Sequence, residues 1–218
     1  MQKKQIQIFP SILSADFSCL GQEAKKAEEM GADGLHIDIM DGHFVPNLTL
    51  GARAVAAINR STNLFLDVHL MIYNPFEYIE RFIEAGADRI TFHFEATEDV
   101  ADTLAYIRKG GALAGLAFCP ETSMEMVGPY LDQADLVLLM TVNPGFGGQA
   151  FMPEVLEKVT FARKACDLRK LATHIQVDGG IDAKTGPECV KAGADVLVSG
   201  TYLYQAPDMK KALESLRT

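Results

Sequence analysis

The sequence predicts an α/β chain of one domain, a (β/α)8 barrel spanning residues 1–218. Three observations carry that expectation. Short apolar runs recur every ~20–30 residues with amphipathic stretches between them, the alternation of β/α units. Several runs end in glycine- or turn-rich sequence. Three runs also follow a near-repeat: Met30-Gly31-Ala32-Asp33, Ala85-Gly86-Ala87-Asp88 and Ala192-Gly193-Ala194-Asp195. Glycine adopts the left-handed conformation that ends a helix, so the recurring Gly-Ala-Asp reads as a joint of the architecture.

Taken in order, the apolar runs place strands at residues 6–12, 34–38, 64–69, 89–93, 113–119, 136–141, 174–178 and 196–199. The amphipathic stretches place helices at residues 20–30, 51–59, 75–85, 97–109, 124–133, 153–168, 183–191 and 207–216. Pro75, Pro153 and Pro207 suit first-turn positions, where a missing amide hydrogen costs nothing. Strict alternation favours a closed barrel. An open doubly wound sheet is the fallback, but no nucleotide-binding glycine loop follows the first strand.

Bulk properties narrow the function. The net charge is −9 and no basic cluster exceeds two residues, which leaves no phosphate-neutralising surface for nucleic acid. No apolar stretch approaches the ~20 residues that span a bilayer, so no membrane partner is expected. Met1-Gln2-Lys3-Lys4 leads directly into Ile6-Gln7-Ile8-Phe9 without a leader pattern, so a cytoplasmic location is the expectation. Cys19, Cys119, Cys166 and Cys189 are too scattered for a cysteine zinc knuckle and read as reduced thiols.

Two carboxylates end apolar runs, in His36-Ile37-Asp38-Ile39-Met40-Asp41-Gly42-His43 and in Gln176-Val177-Asp178-Gly179-Gly180-Ile181. Catalytic groups of β/α barrels sit at such strand ends. His69 closes a third run, Leu64-Phe65-Leu66-Asp67-Val68-His69. Residues i and i+2 of a strand share a side. His36 with Asp38, Asp67 with His69 and Gln176 with Asp178 can therefore point into the barrel together. His36, Asp38, His69 and Asp178 would supply two imidazole nitrogens and two carboxylate oxygens to one divalent cation. The set suits Zn²⁺, with Fe²⁺, Mn²⁺ or Co²⁺ as alternatives. A lone inward histidine is more often a hydrogen-bonded core residue. Four ionisable groups on three strands are harder to explain that way, because a buried carboxylate without a cation is costly. Asp67 reads as a group that orients a ligating histidine. His43 and His93 have weaker patterns.

Asn143-Pro144-Gly145-Phe146-Gly147-Gly148-Gln149 follows the sixth strand, Gly179-Gly180 the seventh and Gly200-Thr201 the eighth. One glycine loop could be a tight turn and nothing more. Three on consecutive strands of one barrel edge predict a phosphate cradle built from backbone amides. An acidic chain can then hold an anionic ligand.

Residues 10–17, 36–47, 67–71, 140–149 and 178–181 closely resemble the ribulose-phosphate 3-epimerase family, and the likeness runs from near residue 6 to about residue 204. The resemblance implies a ribulose-phosphate-binding (β/α)8 TIM barrel that interconverts D-ribulose 5-phosphate and D-xylulose 5-phosphate in pentose-phosphate metabolism. By motif, His36, Asp38, His69 and Asp178 would bind the metal, and Asp38 and Asp178 would be the acid/base pair. Ser11 and His69 would contact substrate. Gly145, Phe146, Gly147, Gly148, Gly179, Gly180, Gly200 and Thr201 would surround the phosphate, with Met40, Met71 and Met140 lining the sugar site. By themselves, methionines at strand ends are more often core filler. Two departures stand out: Ser199-Gly200-Thr201-Tyr202 where the family has Ala-Gly-Ser-Ala, and Thr141 in place of serine. Both put local geometry in question.

The nearest alternative is a 3-epimerase of a hexulose 6-phosphate, of the allulose 6-phosphate type. Asn143, Gly147 and Gly180 favour the pentulose. Barrels that use a catalytic lysine fit less well, since no lysine lies between Lys26 and Lys109 or between Lys109 and Lys158. A non-catalytic phosphosugar-binding barrel predicts loss of a ligand or an aspartate, and all are present. A homo-oligomer is left open by the sequence.

Overall fold

The computed structural model describes residues 5–217, so the Met1-Gln2-Lys3-Lys4 opening lies outside the described residues. Eight parallel strands form one sheet: β1 (Gln7–Pro10), β2 (Gly34–Met40), β3 (Phe65–Met71), β4 (Arg89–His93), β5 (Leu113–Phe118), β6 (Leu136–Met140), β7 (His174–Asp178) and β8 (Val196–Ser199). Each pairs with its sequence neighbour from β2 to β8, and β8 pairs with β1. A parallel bridge between Ser11 and His36 brings β1 back to β2, so the sheet curls into a nearly closed barrel. The expected fold class holds.

The α-helices are α1 (Leu20–Glu29), α2 (Ala52–Asn59), α3 (Ile79–Glu84), α4 (Val100–Lys109), α5 (Val155–Arg169), α6 (Thr185–Ala192), α7 (Thr201–Tyr204) and α8 (Met209–Leu216). The helix expected at 124–133 is replaced by two 3-10 turns, Met124–Met126 and Gly128–Tyr130. Gly128 and Pro129 explain this. Glycine is a poor helix former, and proline removes an interior hydrogen bond. Pro153 and Pro207 stand one residue before the N-caps Glu154 and Asp208 rather than in the first turn. Pro75 does open a turn, the 3-10 segment Pro75–Tyr78 ahead of α3. β1 stops at Pro10, and Ile12–Ser14 form a 3-10 turn. β2 and β3 each run two residues beyond the expected ends, to Met40 and Met71.

Outward strand residues such as Ile37, Val68, Ile90, Leu116, Val177 and Leu197 pack under the helices. Inside the barrel, Phe9, Leu136, Leu138, Val196 and Val198 form a second apolar cluster. Gly34 is required beside it, since a Cβ there would lie 2.6 Å from the Phe9 ring.

The Gly-Ala-Asp joints have a shared geometry. Gly31, Gly86 and Gly193 take φ of 90°, 96° and 119°. Asp33, Asp88 and Asp195 then each accept the backbone N–H of Ile8, Leu66 or Ile175 at 2.8 Å. Each donates its own N–H to the carbonyl of that same residue, at 3.1, 3.0 and 2.9 Å. Asp135 treats Ala114 the same way, so all four even strands are tied to the odd strand before them. That fourth joint, Gln133-Ala134-Asp135, lacks the glycine because no α-helix precedes it. Among the described residues, no helix is long and apolar enough to cross a membrane.

Candidate active site

Strand parity turns His36, Asp38, Asp67, His69, Gln176 and Asp178 inward, and the barrel brings them together at the C-terminal ends of β2, β3 and β7. His36 Nε2 lies 3.3 Å from His69 Nδ1, 3.4 Å from Asp38 Oδ1 and 3.8 Å from Asp178 Oδ2. His69 Nδ1 is 3.2 Å from Asp38 Oδ1. One donor atom from each of the four lies within 4.8 Å of the others. Two nitrogens and two oxygens so close, with His36 and His69 fully buried, suit a single divalent cation.

Supporting bonds aim these atoms. Asp67 Oδ2 accepts from His36 Nδ1 at 2.8 Å and from Gln176 Nε2 at 2.7 Å, while its Oδ1 accepts from Arg89 Nε at 2.8 Å. Arg89 in turn lies 5.4 Å and 5.2 Å over the rings of Phe9 and Phe65. Ser11 Oγ donates to Asp38 Oδ2 at 2.6 Å, which leaves Oδ1 toward the histidines.

The two aspartates have opposite proton affinities. Burial, followed by the charge of Asp38, raises Asp178 to about 7. Burial opposes ionisation of Asp38 as well, but the His36 charge and hydrogen bonds from both histidines hold it well below the usual carboxylate range. Burial lowers His69 to about 4, which keeps it neutral. His36 goes the other way: burial disfavours its cation, yet Asp38 and Asp67 raise it well above the usual value. One carboxylate held ionised beside one that keeps its proton to near neutral pH is the pattern of an acid/base pair.

Above the quartet opens a cavity of about 430 Å³. Ser11, Asp38 and Asp178 reach it, as do Met40, Met71 and Met140. Gly145, Phe146, Gly147, Gly148, Gly179, Gly180, Gly200 and Thr201 line it too, while His36 and His69 are covered beneath. Among the described residues, no lysine or arginine lines the cavity. Asn47 Nδ2 donates to the Gly145 carbonyl at 2.8 Å, and Gln149 Nε2 donates to those of Asn143 and Phe146 at 2.6 and 2.8 Å. These bonds pin the long glycine loop. Thr141 Oγ1 donates to the Gly179 carbonyl at 2.7 Å, so the threonine departure fastens the seventh-strand turn. Tyr202 reaches Ser215 of α8 with its hydroxyl, 2.9 Å away.

One residue escaped the sequence reading, and another, His93, was weighed there and left out. Ser14 lines the cavity and faces Thr201 across 3.4 Å between hydroxyls; its place three residues after Ser11 was the available signal. His93 touches the far side of His69, Nε2 to Nε2, at 2.9 Å. His43 stays at the surface in its own turn, near the Asp41 carbonyl.

Comparison with known proteins agrees with this geometry. The pattern of the ribulose-phosphate 3 epimerase family matches residues 7–204. Ribulose-phosphate 3-epimerase of Chlamydia pneumoniae is 55% identical over 210 residues, which is 95% of this chain and 92% of that one. The enzyme of the same name from Bacillus subtilis is 47% identical over 213 residues, covering 97% and 98%. Among solved structures, 3-hexulose-6-phosphate synthase superimposes with a TM-score of 0.69 over 98% of each chain, at 19% identity, a likeness of fold alone.

Proposed function

Since the chain belongs to the ribulose-phosphate 3-epimerase family and is an epimerase, we propose that it inverts C3 of D-ribulose 5-phosphate by two-base proton transfer. The observation that carries this reading is the pair Asp38 and Asp178, brought from β2 and β7 to one cavity floor with opposite proton affinities. A hydrogen beside a ketone is too weakly acidic to leave unaided. Ionised Asp38 accepts the C3 proton from one face and becomes the acid. Protonated Asp178 delivers its proton to the other face and becomes the base. A single base would tend to return the proton to the face it came from. The reverse reaction exchanges the two roles, giving D-ribulose 5-phosphate again.

His36, Asp38, His69 and Asp178 would hold a divalent cation, with Zn²⁺ the first candidate for this donor set. Such a cation supplies polarisation of the C2 ketone and charge stabilisation for the enediolate. Around it, Ser11 fixes the rotation of Asp38 through their 2.6 Å bond. Met40, Met71 and Met140 give the sugar an apolar wall that excludes water from the enediolate. The glycine loops and Thr201 hold the phosphate with backbone amides, because no cationic side chain among the described residues lines the cavity. His69 stays neutral and aims Nδ1 inward.

The test is proton NMR of D-ribulose 5-phosphate in D₂O with the metal-loaded protein. Deuterium should enter C3 as D-xylulose 5-phosphate appears, and both signals should vanish after chelation. Asp178→Asn and Asp38→Asn should each abolish epimerisation. Full turnover by either variant removes the two-base reading, and turnover restricted to hexulose 6-phosphates replaces the substrate.

A further inference from the structure

Behind His69, on the side away from the cavity, a second set of donor groups converges. His93 ends β4, Glu95 lies in the 3-10 turn Phe94–Ala96 that follows, and Cys119 comes directly after β5. His93 Nδ1 is 3.2 Å from Glu95 Oε2 and 3.5 Å from Cys119 Sγ, and a donor atom of each lies within 4.8 Å of the other two. A tetrahedral cation with bonds of ~2.0–2.1 Å to nitrogen or oxygen and ~2.3 Å to sulfur sets its ligands roughly 3.3–3.6 Å apart. The histidine pairs are already near that spacing. His93 is fully buried and Cys119 nearly so, while the Glu95 side chain keeps 24% of its surface and gives a cation a way in.

We propose that His93, Glu95 and Cys119 form a second metal site, one that takes a thiophilic cation such as Cd²⁺ or Zn²⁺. Sulfur makes the choice: hard cations gain little from a thiolate, and soft or borderline ones gain most. Glu95 enters as a carboxylate. Burial works against that, yet its bonds from His93 and Thr122 and from the Cys119 amide hold it down at about 2. The Cys119 thiol is pushed up, first by burial and then by Glu95, so binding must release its proton. Lys158 donates to the carbonyls of Cys119 and Pro120 at 2.9 and 3.0 Å. Its charge repels a cation but favours the thiolate. Three protein ligands leave a fourth position for water, which suits a loadable site more than a permanently closed one.

The new site opposes the proposed first one. His69 and His93 meet Nε2 to Nε2 at 2.9 Å, and that contact carries one proton. When His69 uses Nδ1 as a ligand, its proton sits on Nε2 and is donated to His93, whose own proton goes from Nδ1 to Glu95. A cation on His93 Nδ1 reverses the order. The His93 proton moves to Nε2, and the His69 proton moves to Nδ1, where it faces Asp38 and blocks ligation. Occupation of the second site should therefore weaken the first. This antagonism rests on the proposed function of the His36 centre, whereas the second site itself requires only the triad.

The test titrates chelator-treated protein with Cd²⁺ alone and follows the ultraviolet thiolate-to-Cd²⁺ charge-transfer band. The band should saturate at one Cd²⁺ per chain, persist in Asp178→Asn and Cys19→Ser, and be lost in Cys119→Ser. Glu95→Gln keeps the thiol and should raise the Cd²⁺ dissociation constant by about tenfold or more. Absence of the band in the unmodified chain, or its survival in Cys119→Ser, overturns the site. In a second arm, preloaded Cd²⁺ should weaken Mn²⁺ binding more in the unmodified chain than in Cys119→Ser, where only direct competition at the His36 centre remains. An intact band with undiminished Mn²⁺ affinity overturns the antagonism and leaves the second site standing.

Discussion

Asp67 Oδ2 lies 2.8 Å from His36 Nδ1, and through this bond Asp67 sets which nitrogen of His36 faces the carboxylates. With the Nδ1 proton donated to Asp67, Nε2 is the nitrogen turned toward Asp38, His69 and Asp178. Arg89 on the other oxygen of Asp67 balances its buried charge at 2.8 Å.

Asp67→Ala should therefore do two separable things. It strands the Arg89 guanidinium inside the barrel, where loss of one partner of a buried ion pair costs about 3–5 kcal/mol. It also frees the His36 ring, and loss of such a second partner weakens metal binding by about 10–100-fold. Calorimetric unfolding reads the first effect and metal titration of the folded variant reads the second. Native values for both would mean that Asp67 neither orients His36 nor neutralises Arg89.

The raised proton affinity of Asp178 makes metal binding depend on pH in a definite direction. Burial and the Asp38 charge move this carboxyl from 3.8 to about 7, so across that window the folded chain binds more protons than the unfolded one. Its stability contribution without metal therefore falls as pH rises toward 7. A cation binds the ionised form more tightly and so weakens the hold on that proton. Apparent affinity should rise by about tenfold or more per pH unit below 7 and go on rising above it, because His36 must also give up a proton it holds well above the usual value. The metal-induced gain in Tm should be larger at pH 8 than at pH 5.5. A flat affinity profile would show that Asp178 is not the competing group.

Two glycines of the cradle should respond differently to the same added methyl. At Gly147 a Cβ would meet only Ser14 Oγ at 3.7 Å and Thr201 Oγ1 at 4.0 Å, ordinary contact inside the space assigned to phosphate. Gly147→Ala should keep its melting temperature and raise KM by about tenfold, ~1.4 kcal/mol of lost binding, with kcat less affected. Gly179 has φ +121°, and its Cβ would fall 2.5 Å from Val142 Cγ2. Gly179→Ala should lose stability before it loses affinity. Equal effects at both positions would contradict the assignment of Gly147 to the ligand space.

Most of the candidate site's floor was legible because strand parity is a strict rule: His36 and Asp38 had to share a side, and so did Asp67 and His69. The glycine loops were legible for a similar reason, since few residues other than glycine tolerate positive φ. What escaped depended on neighbours far apart in the chain. His93 gains its meaning from His69, 24 residues away, and Cys119 from His93, 26 residues away. No local pattern announces such a pair. The missing helix at 124–133 was a different failure. Its apolar spacing suited a helix, but the Gly128-Pro129 pair breaks the hydrogen-bond ladder. The fourth Asp joint was hidden with it, because the glycine that marks the other three ends a helix that this segment does not form.

Those joints lead to a prediction about stability apart from chemistry. Asp88 sits at the strand-start end of the barrel, opposite the cavity, and accepts the Leu66 N–H at 2.8 Å. Its backbone N–H returns to the Leu66 carbonyl at 3.0 Å and would remain after side-chain truncation. Asp88→Ala thus removes one acceptor from a strand N–H and should cost about 1–3 kcal/mol. The strand ends carrying Asp38, His69 and Asp178 lie at the other end of the barrel, so kcat and KM at 25 °C should hardly change. Conservation at this face of a barrel reads as stability, and the strand-end face reads as chemistry. Chemical denaturation with parallel kinetics would separate the two. If Asp88→Ala kept full stability, the Gly-Ala-Asp joint would be a spacing device with no energetic role. If it lost activity while folded, the two ends of the barrel would be coupled.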